Sequence, residues 1–179
     1  MKKDKTLGIL RQFSQKQLQG FLLFLESPYF NRRKDIIGYV HYLSDFHPKY
    51  PENCTQFENV PTDLFPLSKH NKKQLSYLKS RTFNLLKQFI SMEQIRQKPL
   101  LHDLYTSWGL RAYAPSIALS ALNQLKERWA DMEQTDTYDL LFNYLATDIL
   151  HTHPYKDAKR IETLLQESVD LLDEYYIVN

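Results

Sequence analysis

Apolar residues recur along most of this chain at intervals of three and four, which is the pattern of helices that bury one face. Ser14 and Gln17 have the spacing of a capping box and predict that a helix begins there. We expect this helix to be central, because its apolar positions cover much of its circumference: Leu18, Phe21, Leu22, Phe24 and Leu25. A second helix should follow and end at the His47-Pro48 pair, with a stripe of Ile36, Ile37, Tyr39, Val40, Leu43 and Phe46.

Residues 26–31 form the predicted corner between these two helices. Pro28 should end the first helix, and Asn31 has the side chain of an N-cap for the second. Tyr29 and Phe30 have two interpretations. They fill the gap between the helices, as buried aromatic residues do, or they form an exposed corner on which a partner docks.

Residues 48–70 contain four prolines and predict an irregular connection. We expect it to be ordered, since four of its apolar residues require burial: Phe57, Val60, Leu64 and Phe65. Thr55 and Glu58 have the spacing of a cap for a brief helix, and another single turn is expected from Thr62 to Phe65.

Five more helices are predicted after this connection. A long one covers residues 71–97, and four shorter ones form two antiparallel pairs over residues 99–179. Prolines open two of the short helices, Thr135 or Asp136 caps the next, and Asp157 caps the last. The pairs repeat every ~38 residues, which is in the range of helical-repeat proteins.

We therefore expect an all-α fold in two domains. Residues 1–98 form a basic helical bundle, and residues 99–179 form an acidic, right-handed array of helix pairs. The pattern Leu-x-x-Leu-Tyr…Trp-Gly-Leu…Ala, which begins at Leu101, resembles tetratricopeptide repeats. Residues 175–179 are apolar and uncapped after an acidic stretch, which predicts that the array continues beyond residue 179.

A wider resemblance involves three segments of the chain. They are the string Phe24-Leu25-x-Ser27-Pro28-Tyr29-Phe30-Asn31, the helix with Leu75, Leu78, Ser80, Leu85, Leu86 and Phe89, and residues 171–176. Together they resemble a family of long, uncharacterised, predominantly helical bacterial proteins that begin with an FL-SPYFN corner. The resemblance implies a helical fold and no particular activity. Ser76 and Tyr77 depart from the family pattern.

The composition excludes several classes of protein. It is 42% hydrophobic and 25% charged, which is ordinary for a globular chain, and no apolar run approaches the ~18 residues that cross a membrane. The single cysteine, Cys54, cannot form an internal disulfide and is typical of a reducing compartment. No signal-peptide pattern follows the basic N-terminus, so we expect a cytoplasmic protein.

Charge is distributed unevenly along the chain. Residues 1–100 carry 17 of the 23 Lys and Arg but 8 of the 21 Asp and Glu. The basic residues that we expect to form an anion- or partner-binding surface are Arg32, Arg33, Lys34, Lys69, Lys72, Lys73 and Lys79. Such a surface is a solvated face, a dock for an acidic protein surface, or a phosphate-binding face on which Tyr77 stacks.

No set of residues predicts catalysis. Asp148, His151 and His153 have a spacing that suits a divalent ion, but solvated histidines are expected at a helix C-terminus, and we predict no metal. Cys54 has no basic neighbour in the sequence, and the glycines are isolated. We predict a non-enzymatic scaffold or adaptor that binds protein partners through a helical-repeat surface, without a cofactor, a small-molecule substrate or a membrane. The alternative is nucleic-acid binding by the basic half.

Overall fold

The computed structural model of the protein describes residues 4–51, 53–65, 72–130, 137–151 and 166–173. These residues form helices and turns and contain no strand, which confirms the predicted all-α class. The α-helices are α1 (Lys5–Leu10), α2 (Gln15–Glu26), α3 (Lys34–Ser44), α4 (Lys72–Gln97), α5 (Pro99–Leu110), α6 (Pro115–Ala130) and α7 (Thr137–His151), and a 3-10 helix covers Thr62–Leu64. Residues 166–173 are also helical. The predicted caps at Thr135, Asp136 and Asp157 lie outside the described residues.

The chain divides into two compact units, Met1–Glu93 (unit 1) and Gln94–Asn179 (unit 2). Each unit has its own cluster of buried apolar side chains. None of the described helices combines the length and apolarity that crossing a bilayer requires.

The two local signals at the ends of α2 are confirmed. The Ser14 hydroxyl accepts a hydrogen bond from the Gln17 amide at 3.2 Å, and the Gln17 side chain accepts one from the Ser14 amide at 2.8 Å. This reciprocal capping box satisfies two amides that the first turn leaves without helical partners. The helix ends at Glu26, two residues before Pro28, as the proline predicts.

The predicted N-cap at Asn31 is wrong. Helix α3 begins three residues later at Lys34, and its N-cap residue is Arg33, whose side chain makes no capping bond. Asn31 is instead buried, and its amide nitrogen donates to the Leu25 carbonyl at 3.0 Å and to the Arg33 carbonyl at 3.1 Å. Its side-chain oxygen accepts from the Arg33 amide at 3.0 Å. One buried side chain therefore joins the end of α2 to the start of α3.

Aromatic rings form the centre of unit 1. Phe89 of α4 is 5% exposed, and its ring centroid lies 5.4 Å from that of Phe21, 5.7 Å from that of Phe24 and 6.0 Å from that of Phe13. Gly20 of α2 lies against the Phe89 ring, which would be in ordinary van der Waals contact, 3.4 Å away, with a Cβ atom there. The expected central position of α2 thus arises from its phenylalanines.

The described part of the proline-rich connection, residues 48–51 and 53–65, is ordered by burial and by backbone hydrogen bonds. Val60 and Phe65 are buried as predicted, and the Tyr42 hydroxyl lies within hydrogen-bond distance of the carbonyls of Cys54 and Asn59, to which its one proton is available. The expected turn at Thr62–Leu64 is a 3-10 helix. The brief helix expected at residues 55–58 is wrong, because this stretch consists of turns and a bend.

Helix α3 approaches the 3-10 helix closely at a glycine. A Cβ atom built on Gly38 would lie 2.6 Å from Cδ2 of Leu64, which is too close for real atoms. Gly38 therefore allows Leu64 to cover α3 directly.

Burial of Tyr50 should make the protein less stable at alkaline pH. The ring is fully buried, and this burial raises the pKa of its hydroxyl to about 12 from the ordinary 10. Between these values the unfolded chain loses the proton and the folded chain keeps it, so the free energy of unfolding falls as pH rises. We expect a loss of roughly 2–3 kcal/mol between pH ~10 and ~12, measured by urea unfolding.

The variant Tyr50→Phe should lose this contribution and show a shallower alkaline profile. Some slope should persist, because burial also raises the pKa of Tyr39. The same change at Tyr29, which is 88% exposed, is the control and should leave the slope unaltered. Equal slopes for the two variants would contradict the assignment to Tyr50.

Unit 2 is built from helices that pack against one another. Prolines open α5 and α6, as predicted, and α6 packs against both α5 and α7. The core contains Leu104, Leu122, Leu125, Trp129, Ala146, Ile149 and Leu150. The Trp129 ring lies 5.7 Å from that of Phe142, which joins α6 to α7.

Candidate functional site

Helices α3 and α4 bring together one residue from each of the two predicted basic clusters. Arg33, which precedes α3, and Lys73, at the second position of α4, line the same pocket of about 410 Å³ in unit 1. Its full lining is Arg33, Asp35, Phe65, Lys73, Gln74, Tyr77 and Leu78. We call it the Arg33–Tyr77 pocket. Its charged residues are two cations and one carboxylate, so its lining has a net charge of +1.

Arg33 has a defined orientation in this pocket. Its Nε donates to Oδ1 of Asp35 at 3.0 Å, and its Nη2 forms a short ion pair with Oδ2 of the same carboxylate. Its guanidinium carbon lies 4.9 Å from the centroid of the Tyr77 ring, a cation–π distance. The hydrogen bond to Asp35 is the main reason that the pKa of Arg33 is raised.

Asp35 also holds the first turn of α3. Its Oδ1 accepts a hydrogen bond from the Ile36 amide at 3.0 Å, close to the positive end of the helix dipole. The Arg33 backbone is fixed in turn by Asn31. The guanidinium is therefore positioned from both sides, by its carboxylate partner and by its own main chain.

The apolar floor of the pocket consists of Phe65 and Leu78, which are buried, while Tyr77 on its wall is 47% exposed. Lys73 is exposed on the rim. An apolar floor below a cationic rim suits a ligand that carries an anionic group next to apolar atoms.

The other predicted basic residues lie elsewhere. Lys79 contacts the Thr55 carbonyl at 2.6 Å and Asp4 at 3.8 Å, so it stabilises the connection between α3 and α4. Lys72 is 81% exposed and lies 4.0 Å from Glu58, a surface pair of little energetic value. Arg32 and Lys34 are exposed, Arg32 Nε donates to the Pro28 carbonyl at 3.4 Å, and Lys69 lies outside the described residues.

The two aromatic residues of the corner, Tyr29 and Phe30, have different environments. Phe30 is partly buried and stacks on Phe24, with 4.3 Å between the ring centroids. Tyr29 is 88% exposed and meets Phe30 edge to face at 4.9 Å. Phe30 thus fills the gap between the helices, and Tyr29 is presented to solvent.

A second exposed aromatic surface lies in unit 2. Tyr105 and Trp108 on α5 are 49% and 53% exposed, and their rings are nearly parallel with centroids 6.3 Å apart. Tyr113, in the turn after α5, is 89% exposed, and Ile117 near the start of α6 is 59% exposed. We call these four residues the α5–α6 aromatic face.

A groove of about 620 Å³ also lies between α5 and α6. Its polar lining includes Asp103 and Arg128, which form an ion pair that lowers the pKa of Asp103. Ser107 and Ala121 contribute small side chains to the same lining, which keep the groove open. Helix pairs with an open groove suit the binding of an extended or helical segment.

The sequence did not predict the roles of Asp35 and Gln74 in the pocket, nor the exposure of Tyr105 and Trp108. One signal was present for α5. Leu101, Tyr105 and Trp108 lie at helical spacing beside Leu104. The apolar residues of α5 therefore cover more of its circumference than one neighbouring helix can bury, which predicts that some of them are exposed.

Among the residues that the structure describes, no group of three or more His, Cys, Asp or Glu is arranged to hold a metal ion. Of the candidate cluster, Asp148 is described, whereas the His151 side chain and His153 fall outside the described part. Cys54 is buried, and this burial is the largest cause of its raised thiol pKa.

Comparison of the chain with protein-family models, with curated proteins and with solved structures finds no match.

Proposed function

We propose that this chain is a non-enzymatic cytoplasmic scaffold or adaptor that binds other proteins through a repeat-like helical surface. The α5–α6 aromatic face carries the proposal. Tyr105 and Trp108 form a stacked pair of which about half is open to solvent. Tryptophan and tyrosine are the residues that most often dominate the energy of protein interfaces.

The cost of leaving these rings wet supports the same conclusion. A large aromatic side chain buries ~150–250 Å² when it is covered, so a stacked pair in water forgoes a substantial hydrophobic gain. Exposed Tyr113 and Ile117 lie next along the chain. Four large apolar side chains exposed within thirteen residues of the chain favour an interaction surface.

The proposal is tested with the photoreactive residue p-benzoylphenylalanine in place of Trp108 in the full chain, irradiated in living cells. We expect discrete cross-linked proteins, because a buried interface holds the probe against its partner. The control places the same residue at Gln88, which is exposed on α4. Adding Tyr105→Ser should reduce the cross-links, since loss of one dominant aromatic residue weakens binding about 30-fold.

Three outcomes would contradict the scaffold proposal. They are no protein cross-link above the Gln88 control, a cross-link only to a second copy of this chain, and cross-links only to nucleic acid. The last would replace protein binding at this face with nucleic-acid binding. A separate alternative is binding of nucleic acid by the basic half. That alternative is supported by Tyr29, an exposed aromatic ring beside exposed Arg32.

A further inference from the structure

We propose that the Arg33–Tyr77 pocket binds an acidic peptide segment of a partner protein, with a glutamate or aspartate carboxylate at the cationic rim and a neighbouring apolar side chain on the floor. The inference rests on the proposed function, since it specifies the chemistry of a partner. It concerns unit 1, whereas the α5–α6 aromatic face belongs to unit 2, so the two can fail separately.

The rim supplies two kinds of cation. Arg33 is oriented by Asp35 on one side and by the Tyr77 ring on the other, so little conformational entropy is lost when it meets a ligand. Lys73 is exposed and forms no ion pair with a carboxylate among the described residues. Its ammonium group is the cation that remains to be neutralised.

The charge of the lining favours a monoanion. Asp35 already compensates Arg33, and with Lys73 the net charge is +1, which one carboxylate neutralises. A phosphate group carries a charge near −2 and would be repelled by the Asp35 carboxylate within the same pocket. The charge of the lining therefore favours an acidic peptide over a phosphorylated one. A nucleic acid backbone carries one negative charge per phosphate, and RNA is therefore included in the test as a competitor.

The floor favours a peptide over a free small anion. Phe65 and Leu78 are almost fully covered at 7% and 2% exposure, so the half-exposed ring of Tyr77 beside them supplies most of the apolar contact. A volume of about 410 Å³ holds an apolar side chain together with a carboxylate group. The wider charge of this part of the chain, 17 Lys and Arg against 8 Asp and Glu in residues 1–100, attracts acidic segments at longer range.

The test uses the full chain and an array of immobilised decapeptides in which two central positions are glutamate or aspartate and their neighbours vary among apolar residues. A matched array carries glutamine and asparagine at the same two positions. Peptides that bind are then labelled with fluorescein and titrated by fluorescence anisotropy at low and high salt. Single-stranded RNA and inorganic phosphate serve as competitors.

We expect acidic peptides to bind and their amide counterparts not to bind. Lys73→Glu should weaken the affinity at least about tenfold, because it reverses one charge at the rim. Lys16→Glu is the matched control, since Lys16 is also exposed at the second position of its helix and the change in net charge is identical. This control should alter the affinity less than about twofold, as expected of a distant, screened charge.

A third variant should strengthen binding. Asp35→Asn keeps an oxygen for the Ile36 amide and removes the charge that compensates Arg33. We expect an affinity about threefold higher, from one unit of charge at a distance of several ångströms in a solvated site. Damage to the fold cannot produce this gain, and circular dichroism checks that all variants stay helical.

Four results would overturn the proposal: no acidic peptide that binds at millimolar concentration, equal binding of the amide array, equal losses for Lys73→Glu and Lys16→Glu, or displacement of the peptide by inorganic phosphate. RNA could also bind more tightly than every peptide and lose affinity in Lys73→Glu. That result would replace the acidic-peptide proposal with nucleic-acid binding by the pocket. If no acidic peptide binds while the photoreactive residue in place of Trp108 still yields cross-linked proteins, the scaffold proposal stands and only the pocket assignment falls.

Discussion

Replacing Phe89 by alanine should lower the free energy of unfolding by about 4 kcal/mol, within the range for loss of a buried phenylalanine ring. The ring is 5% exposed and meets three other phenylalanine rings, at centroid distances of 5.4 to 6.0 Å. Its removal costs the hydrophobic transfer energy of the ring and leaves a cavity whose walls lose their dispersion contacts. Urea unfolding followed by far-ultraviolet circular dichroism measures the loss.

The matched control is Phe83→Ala, on the same helix. Phe83 is only partly buried, and Lys87 lies over its ring with the ammonium 5.2 Å from the ring centroid. We expect this change to cost less than half as much, since water and the lysine stem already cover part of the ring. Equal losses in the two variants would show that the rings around Phe89 do not form the energetic centre of unit 1.

Local sequence signals predicted both ends of α2 and the starts of α5 and α6, because the physics that sets them is local. Both predicted ends of α3 are wrong, since the helix covers Lys34–Ser44 and a turn separates it from the His47-Pro48 pair. The capping box at Ser14 and Gln17 needs only four residues to form, and Pro28 excludes helical geometry without help from the rest of the chain. Prolines at the starts of α5 and α6 act in the same way. The all-α class follows from such signals together with the spacing of the apolar residues.

Residues whose partners are distant in sequence were predicted less well. Lys72 and Lys79 are seven residues apart on one helix, which favours a shared basic face. The structure instead directs Lys79 to the Thr55 carbonyl and to Asp4, which no helical spacing reveals. The same holds for Gly38, because the atom that a Cβ there would meet belongs to Leu64 in the following connection.

The candidate pocket was predictable only in part, for the same reason. The sequence showed two basic clusters and Tyr77, and the structure joins one member of each cluster, Arg33 and Lys73, around that ring. The selection of Arg33 from the cluster Arg32, Arg33 and Lys34 depends on where α3 begins. Asn31 holds the Arg33 backbone just before that position, and its side chain has the same preference for an N-cap as for a turn that bonds its own backbone two residues on.

Asn31→Ala should therefore have the second large effect, a loss of about 3 kcal/mol in the free energy of unfolding. The change removes three hydrogen bonds, to the Leu25 carbonyl and to both the amide and the carbonyl of Arg33. Each polar group left without a partner in a buried or half-buried place costs ~1–3 kcal/mol, and water recovers part of this at the half-buried ones. Urea unfolding measures the loss.

Asn84→Ala is the control, because Asn84 is exposed on α4 and alanine is the better helix former there. It should leave stability unchanged or slightly raised. Asn31→Ala should also lower the affinity of the pocket for an acidic peptide, because the Arg33 backbone is no longer held against the end of α2. A loss of stability below ~1 kcal/mol would mean that water replaces the three bonds and that Asn31 does not determine where α3 begins.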